Sequence, residues 1–304
     1  MKQPQLLLVD GNNLLFRSFH AIKDMSTSAG VPTNAVYGTL KSLRATIQTF
    51  KPEYIIVCWD SGKKTFRHEQ DETYKAHRPA VRDDLKSQFS LVKEAIDALG
   101  IPQITADGVE CDDLIGTLAT KASANGMHAT IISSDKDFFQ LCEDNITVYS
   151  FTVRNKNGDG IVDAKYVRET FEVEPRQLVD VKSLTGEKTD NITGVRGIGP
   201  KIATKLIKQY GTIFDVIKVL RNNSTIPERY KIILESVDVI ANAYTLAKIK
   251  TDVELPPDIP VLSTENLVVD EERLANFFRT YEMKSYLNEM ASWKRLFTYK
   301  LTLA

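Results

Sequence analysis

At 304 residues, 42% hydrophobic and 26% charged, the chain has the composition of a packed protein, which excludes a disordered, collagenous or membrane-embedded one. No apolar run approaches the roughly 20 residues of a membrane helix. The start MKQPQLLLVD lacks the apolar stretch of a signal peptide, so a cytoplasmic protein without membrane contact is expected. The net charge of −1 excludes a uniformly basic nucleic-acid binder while leaving room for segregated charge.

The chain opens with QLLLVD at 5–10, a continuous apolar run closed by an aspartate, which predicts a fully buried parallel strand. Apolar residues at helical spacing follow at Val36, Leu40, Leu43 and Ile47, and then YIIVCW at 54–59 predicts a second strand closed by Asp60. Further along come a helix over 84–99, a strand over 101–104, a helix over 112–124 and a strand over 128–133. This alternation predicts a parallel sheet covered on both faces, with ligands at the carboxyl ends of its strands. From about 163 the strand signal fades, and 163–171, 175–185, 200–210 and 228–249 predict helices. PPDIP at 256–260 breaks the pattern before a last helix over 270–290, so the final forty or so residues read as a packed tail. Cys58, Cys111 and Cys142 are widely spaced and lack a CxxC pair, which predicts buried free thiols.

Carboxylates gather where such a sheet would bind a ligand. Asp10 and Asp60 each end a strand, Asp135 and Asp137 follow the strand at 128–133, and GVECDD sets Glu110, Asp112 and Asp113 at a helix start. So many like charges would force several to protonate unless cations sat among them. An all-oxygen set without a Cys or His cluster points to Mg²⁺, with Mn²⁺ able to substitute, over Zn²⁺. Two such ions about 3.5–4 Å apart would activate a water and stabilise the leaving oxygen of a phosphodiester.

Two further segments suit a phosphate backbone. GVRGIGPKIA at 194–203 sets Gly194, Gly197 and Gly199 before Pro200 and Lys201, the pattern of a helix-hairpin-helix that grips phosphates through backbone N–H groups. Binding of that kind is independent of base sequence and weakened by salt. Residues 61–82 carry Lys63, Lys64, Arg67, Lys75, Arg78 and Arg82 with Phe66 and Tyr74 among them, a composition suited to single-stranded DNA.

The ordered run VDGNNLLFR, WDSGKKTFR, YKAHR, GVECDD, SSDKDFFQL, TGEKTDNITGVRGIGPKIA and LAKIKTDVEL resembles the 5′ nuclease family. That family comprises the amino-terminal domain of bacterial DNA polymerase I, its free-standing bacterial and phage relatives, and the flap endonucleases. The resemblance reaches to about residue 290 and implies a PIN-like α/β core over 1–162 with a helical arch at 61–85. It implies a helical DNA-binding lobe over 163–304, with the helix-hairpin-helix at 179–211 and the carboxyl-terminal tail. By the same resemblance Asp10, Asp60, Glu110, Asp112, Asp113 and Asp135 surround a first metal ion, and Asp135, Asp137, Glu187 and Asp190 a second. Lys75 and Arg17 would contact the scissile phosphate, and Lys63, Arg67, Tyr74, Arg78, Gly197, Gly199 and Lys201 would contact DNA. A monovalent cation, K⁺, is implied at the hairpin. The implied substrate is DNA with a 5′ flap or a 5′ single-stranded end, including RNA–DNA hybrids, cut by a monomer.

Two positions depart from the family pattern: Glu187, where aspartate is usual, and Cys111, where alanine is common. The extra methylene of Glu187 predicts weaker binding at the second metal position. Two other functions share parts of this pattern, a PIN-type ribonuclease and a DNA-structure binder without catalysis. The hairpin and basic segment speak against the first, and the retained carboxylates against the second.

Overall fold

The computed structural model describes residues 3–222, 227–257 and 263–298, so Asp258–Pro260 of the proline-rich break lie outside the described residues. Six strands form one sheet in the order β3-β2-β1-β4-β5-β6: β1 Gln5–Asp10, β2 Tyr54–Cys58, β3 Gln103–Ile104, β4 His128–Ile132, β5 Ile146–Tyr149 and β6 Ile161–Val162. The first five are parallel and β6 is antiparallel, so the sheet is mixed rather than wholly parallel. Strands β5 and β6 were not anticipated, because each is short and only alternate residues of β5 are buried.

Side-chain alternation divides the core. Leu7, Val9, Ile55 and Val57 face one layer, and Leu6, Leu8, Ile56, Cys58, Ala129 and Ile131 the other. Both faces are apolar because helices cover both. On the first layer lie α1 Gly11–Ala21, α2 Asn34–Phe50 and, after the short α3 Phe66–Gln70 and α4 Asp83–Lys86, α5 Gln88–Ala98. The second layer is built on α6 Cys111–Ala124, with α7 Ala164–Phe171 beside it.

Helix α1 was also unexpected. It begins directly after β1, and Asp10 is both the end of the strand and the N-cap of the helix. No linker separates the two patterns. Its first residue is glycine for a steric reason: a Cβ on Gly11 would lie 2.7 Å from the Trp59 ring.

The helical lobe comprises α8 Leu178–Thr185, α9 Pro200–Tyr210, α10 Ile213–Asn222, α11 Glu228–Glu235 and α12 Val237–Ala247 around its own apolar cluster. The helix expected over 228–249 is thus two, joined at Ser236, and α10 is an addition. The tail forms α13 Glu271–Thr280, α14 Lys284–Asn288 and α15 Met290–Lys294. It packs on the first layer of the sheet through Leu274, Phe278 and Trp293. Glu282 adopts φ +54° and ends α13, which is why one long helix over 270–290 does not form.

Segment 61–85, expected as a helical arch, holds two short helices. Helix α3 is followed by turns over 72–77 and then α4. Tyr74 is buried among Val179, Ile192, Ala243 and Leu246 of the lobe, which pins the segment against the protein.

Candidate active site

The chain reverses direction across the sheet at β1: β2 and β3 lie on one side, β4 and β5 on the other. The carboxyl end of β1 is therefore a switch point, where open α/β sheets place their ligands. Asp10 stands there. Its Oδ1 accepts from the Asn13 backbone N–H at 2.9 Å and its Oδ2 from the Ser133 hydroxyl at 2.9 Å. Asp60 follows β2 and accepts from the Cys111 N–H at 2.8 Å, which ties it to the first turn of α6 and so to Asp112. Asp135 follows β4 and caps a short 3₁₀ helix that begins at Lys136 and carries Asp137.

The electrostatics report how closely these acids are drawn together. Burial pushes the Asp10 carboxyl up to about 7, with Asp60 and Asp135 adding repulsion. Burial likewise raises Asp60, and it raises Asp112 strongly with Asp10 and Asp135 contributing. Among the described residues no ion pair reaches Asp10, Asp60, Asp112 or Asp135. Among the described residues, four carboxylates thus share one sheet edge with no ion pair of their own, Lys75 and Arg78 acting on Asp60 and Lys75 on Asp112 from beyond contact.

The other acids have partners. Asp113 is fully buried; both its oxygens are held by the Arg67 guanidinium, at 2.7 and 2.9 Å, and by the N–H groups of Glu110 and Lys250. Expected around the first ion, it instead serves as a structural acceptor with no oxygen to spare. Glu110 receives Lys75 Nζ at 2.9 Å, the Tyr74 hydroxyl at 3.2 Å and Arg67 at 3.3 Å. Burial alone would lower the Lys75 ammonium, but Glu110, with Tyr74 and Asp112 beside it, outweighs burial and holds the group well above its usual range.

Asp137 accepts from Lys182 Nζ, and the same ammonium lies 2.5 Å from Glu187 Oε2. Burial pushes Asp137 up to about 6 against the pull of Lys182. For Glu187 the upward push of burial is outweighed by Lys182, and its carboxyl falls below the usual range. Asp190 is paired with Arg78 at 2.6 Å. Lys182 was not singled out in the sequence, since only its neighbours in space reveal it.

Two further expectations need correction. Arg67 and Tyr74, placed on the DNA-facing side by the sequence, are only 2% and 4% exposed. Arg67 donates to Asp113 and to the carbonyls of Leu246 and Lys248, joining the sheet edge to the lobe. Lys63 is exposed and paired with Asp107, Arg78 is partly exposed, and Arg17 stacks on the Phe151 ring at 4.2 Å.

The loop after α8 is shaped by two glycines. A Cβ on Gly194 would meet the Thr185 backbone at 2.3 Å, and Gly186 takes φ +67° against it. Their contact lets Glu187 and Ile192 pair as an antiparallel bridge that presents the Glu187 side chain. Gly197 and Gly199 differ. A Cβ on either would meet nothing within 4 Å, and Gly199, at φ −88°, needs no glycine for its backbone. The turn before α9 is open, and Lys201 is exposed beside it.

The residues fit divalent cations. The donors are hard oxygens, and the Ser134 hydroxyl, beside Asp135, is buried without a partner among the described residues. Among those residues no three acids close on one point as a finished cage; they ring an open edge beside a cavity of about 580 Å³.

Acids at the carboxyl edge of a mostly parallel sheet, cations around them and a glycine turn open to solvent are the parts of a nuclease. The chain belongs to the 5′-3′ exonuclease family. A family model described as "5'-3' exonuclease, N-terminal resolvase-like domain" matches residues 5–172, and one described as "5'-3' exonuclease, C-terminal SAM fold" matches 173–269. The chain is 36% identical to a 5′-3′ exonuclease of Aquifex aeolicus, over 94% of each chain. It is also 36% identical to the thermostable DNA polymerase I of Thermus aquaticus, over 94% of this chain but 33% of the polymerase. In fold it is similar to the bacteriophage T5 D15 flap endonuclease, solved in complex with DNA and metal ions. That likeness has a TM-score of 0.66 at 21% identity and covers 96% of this chain and 99% of the other. No helix among the described residues is long and apolar enough to cross a membrane.

Proposed function

We propose that this nuclease hydrolyses phosphodiesters in branched DNA, cutting 5′ flaps and releasing short 5′ products, RNA primers included, as a monomer in the cytoplasm of a bacterial or phage-infected cell. The observation that carries the reading is the group Asp10, Asp60, Asp112 and Asp135, brought to one edge with no ion pair to any of the four among the described residues. These carboxylates would hold divalent cations, Mg²⁺ or Mn²⁺, which would supply Lewis-acid polarisation when bound.

The chain's own residues do the rest. Glu110 holds Lys75 at the rim of the group, so a scissile phosphate reaching the edge meets a fixed ammonium that stabilises charge developing in an in-line displacement. Lys75 is aimed by its backbone, which takes φ +56° and donates to the Asp190 carbonyl at 2.9 Å. Arg17 on α1 is assigned the same phosphate, released from Phe151 when DNA arrives. Asp135, shared with the first group, Asp137, Glu187 and Asp190 form the second acidic group. The division of labour follows the lobes: residues 1–162 hold the first acidic group and Asp137, and the helical lobe from 163 adds Glu187 and Asp190 and grips downstream duplex. Gly197 and Gly199 admit a phosphate to the turn before α9, Lys201 adds charge, and K⁺ on backbone carbonyls would complete the grip. Lys63 and Arg78 flank the path of the 5′ strand.

The test uses Mg²⁺ with end-labelled 5′-flap DNA, single-stranded RNA and blunt duplex, beside Asp135→Asn. Cleavage at the flap junction, lost in the variant, is the expected result. Degradation of RNA with intact flaps would establish a PIN-type ribonuclease instead, and tight flap binding without products an inactive binder.

A further inference from the structure

The two acidic groups differ in one respect that the sequence hides: in the second one ammonium bridges two of the acids, whereas in the first Lys75 pairs with Glu110, and Asp10, Asp60, Asp112 and Asp135 have no ion pair among the described residues. Lys182, from α8, places one ammonium against both Asp137 Oδ1 and Glu187 Oε2, with only 19% of its side chain exposed. The remaining Glu187 oxygen accepts from the Thr189 hydroxyl at 2.8 Å, so the carboxylate is held toward Lys182. Asp190, a further acid of this group, is turned to Arg78.

Sterics and charge both follow from this contact. A divalent cation binds carboxylate oxygens at about 2.0–2.6 Å, so an ammonium 2.5 Å from Glu187 and in contact with Asp137 fills the volume the ion needs. One ammonium also neutralises charge that would otherwise attract the ion. The two occupants exclude each other. Lysine suits such a role, since its charge sits on a flexible four-carbon stem that can swing, and the adjoining cavity of about 580 Å³, lined by Gln140, Phe171, Leu178 and Val181, gives it room. The longer side chain at Glu187 acquires a purpose here: it reaches the ammonium from the bridge at Ile192.

We propose that Lys182 is a built-in counter-ion at the second cation position, so that the DNA-free protein binds one divalent ion tightly and a second only when Lys182 leaves Asp137 and Glu187. Lys182 is thus a positioning residue that sets cation stoichiometry. The proposal rests on the reading of the acidic edge as a cation site.

The test is a titration of the full-length, DNA-free chain with Mn²⁺, the free ion being counted by electron paramagnetic resonance. Wild type should show one tight site and a second much weaker one. Lys182→Met should tighten the second site at least about tenfold, because a positive charge in contact with both acids is gone. Lys182→Arg should keep the wild-type pattern. Glu187→Gln, which retains the lysine, should weaken the second site further and leave the first unchanged. Equal affinities for two ions in wild type would overturn the proposal whether or not any variant folds. So would a folded Lys182→Met with wild-type binding. Because the titration contains no DNA, failure to cut flaps and failure of this proposal are separate results. A protein that cuts flaps but binds two ions equally loses only the proposal.

Discussion

Asp10 shows how strongly one residue's surroundings tie stability to chemistry. Its carboxyl is raised from 3.8 to about 7, first by burial and then by Asp60 and Asp135. Asp137, raised to about 6, acts in the same sense. Between the unfolded and folded values the folded chain binds more protons than the unfolded one, so stability falls as pH rises through that window. In chelator, the melting temperature is expected to drop from about pH 5 to about pH 8. Cation binding requires the ionised acids, so Mg²⁺ should reverse the trend: a ligand at about 100 times its Kd adds about 2.7 kcal/mol, and only where the acids are charged. A melting temperature that rises with pH in chelator would mean that these carboxylates do not govern the balance. Asp10, Asp60, Glu110, Asp112, Asp113, Asp135 and Asp137 were legible because each follows an apolar run or stands at a helix start, whereas Glu187 and Asp190 came only from the resemblance. The partners of these acids were not legible. Arg67 with Asp113, Arg78 with Asp190 and Lys182 with Asp137 are separated by 46, 112 and 45 positions, and no local pattern encodes such pairs.

Among the elements, the loop from α8 to α9 separates glycines needed for the fold from those whose role lies outside it. Gly194 faces the Thr185 backbone, which cannot move aside as a side chain can. Gly194→Ala should cost at least about 1–3 kcal/mol, the usual penalty of overpacking, and should displace Glu187 with the loop. Gly199 has open space and an ordinary φ, so Gly199→Ala should leave urea unfolding unchanged within about 0.5 kcal/mol while weakening duplex binding, because a methyl group would stand between the backbone and a phosphate. Equal duplex binding by Gly199→Ala would remove the hairpin from the DNA surface. Both glycines read alike in the sequence, since neither space nor φ is written there. The same limit explains the elements that were missed. Helix α1 is masked by a strand that ends on its own cap, and β5 and β6 are too short to show a period. The buried strands β1, β2 and β4 were legible because both of their faces are apolar.

At the scale of the whole molecule a net charge of −1 conceals two opposed fields, an acidic sheet edge and the cations around it. Those cations are unequally available. Arg67 and Lys182 are held by acids within the protein, whereas Lys201 is exposed at an open turn. Only cations free to meet phosphates release counter-ions on binding, so the salt dependence of duplex affinity counts the second kind. In the presence of Ca²⁺ in place of Mg²⁺, log affinity against log salt should be linear, with a slope of about −0.9 for each phosphate engaged. Lys201→Ala should reduce that slope by about one and weaken all duplex sequences alike. Arg67→Met should leave the slope unchanged in whatever fraction remains folded, because its charge already faces Asp113. A slope that falls in the Arg67 variant and not in the Lys201 variant would place the DNA path over α3 instead of the glycine turn, and would reverse the assignment of the two faces.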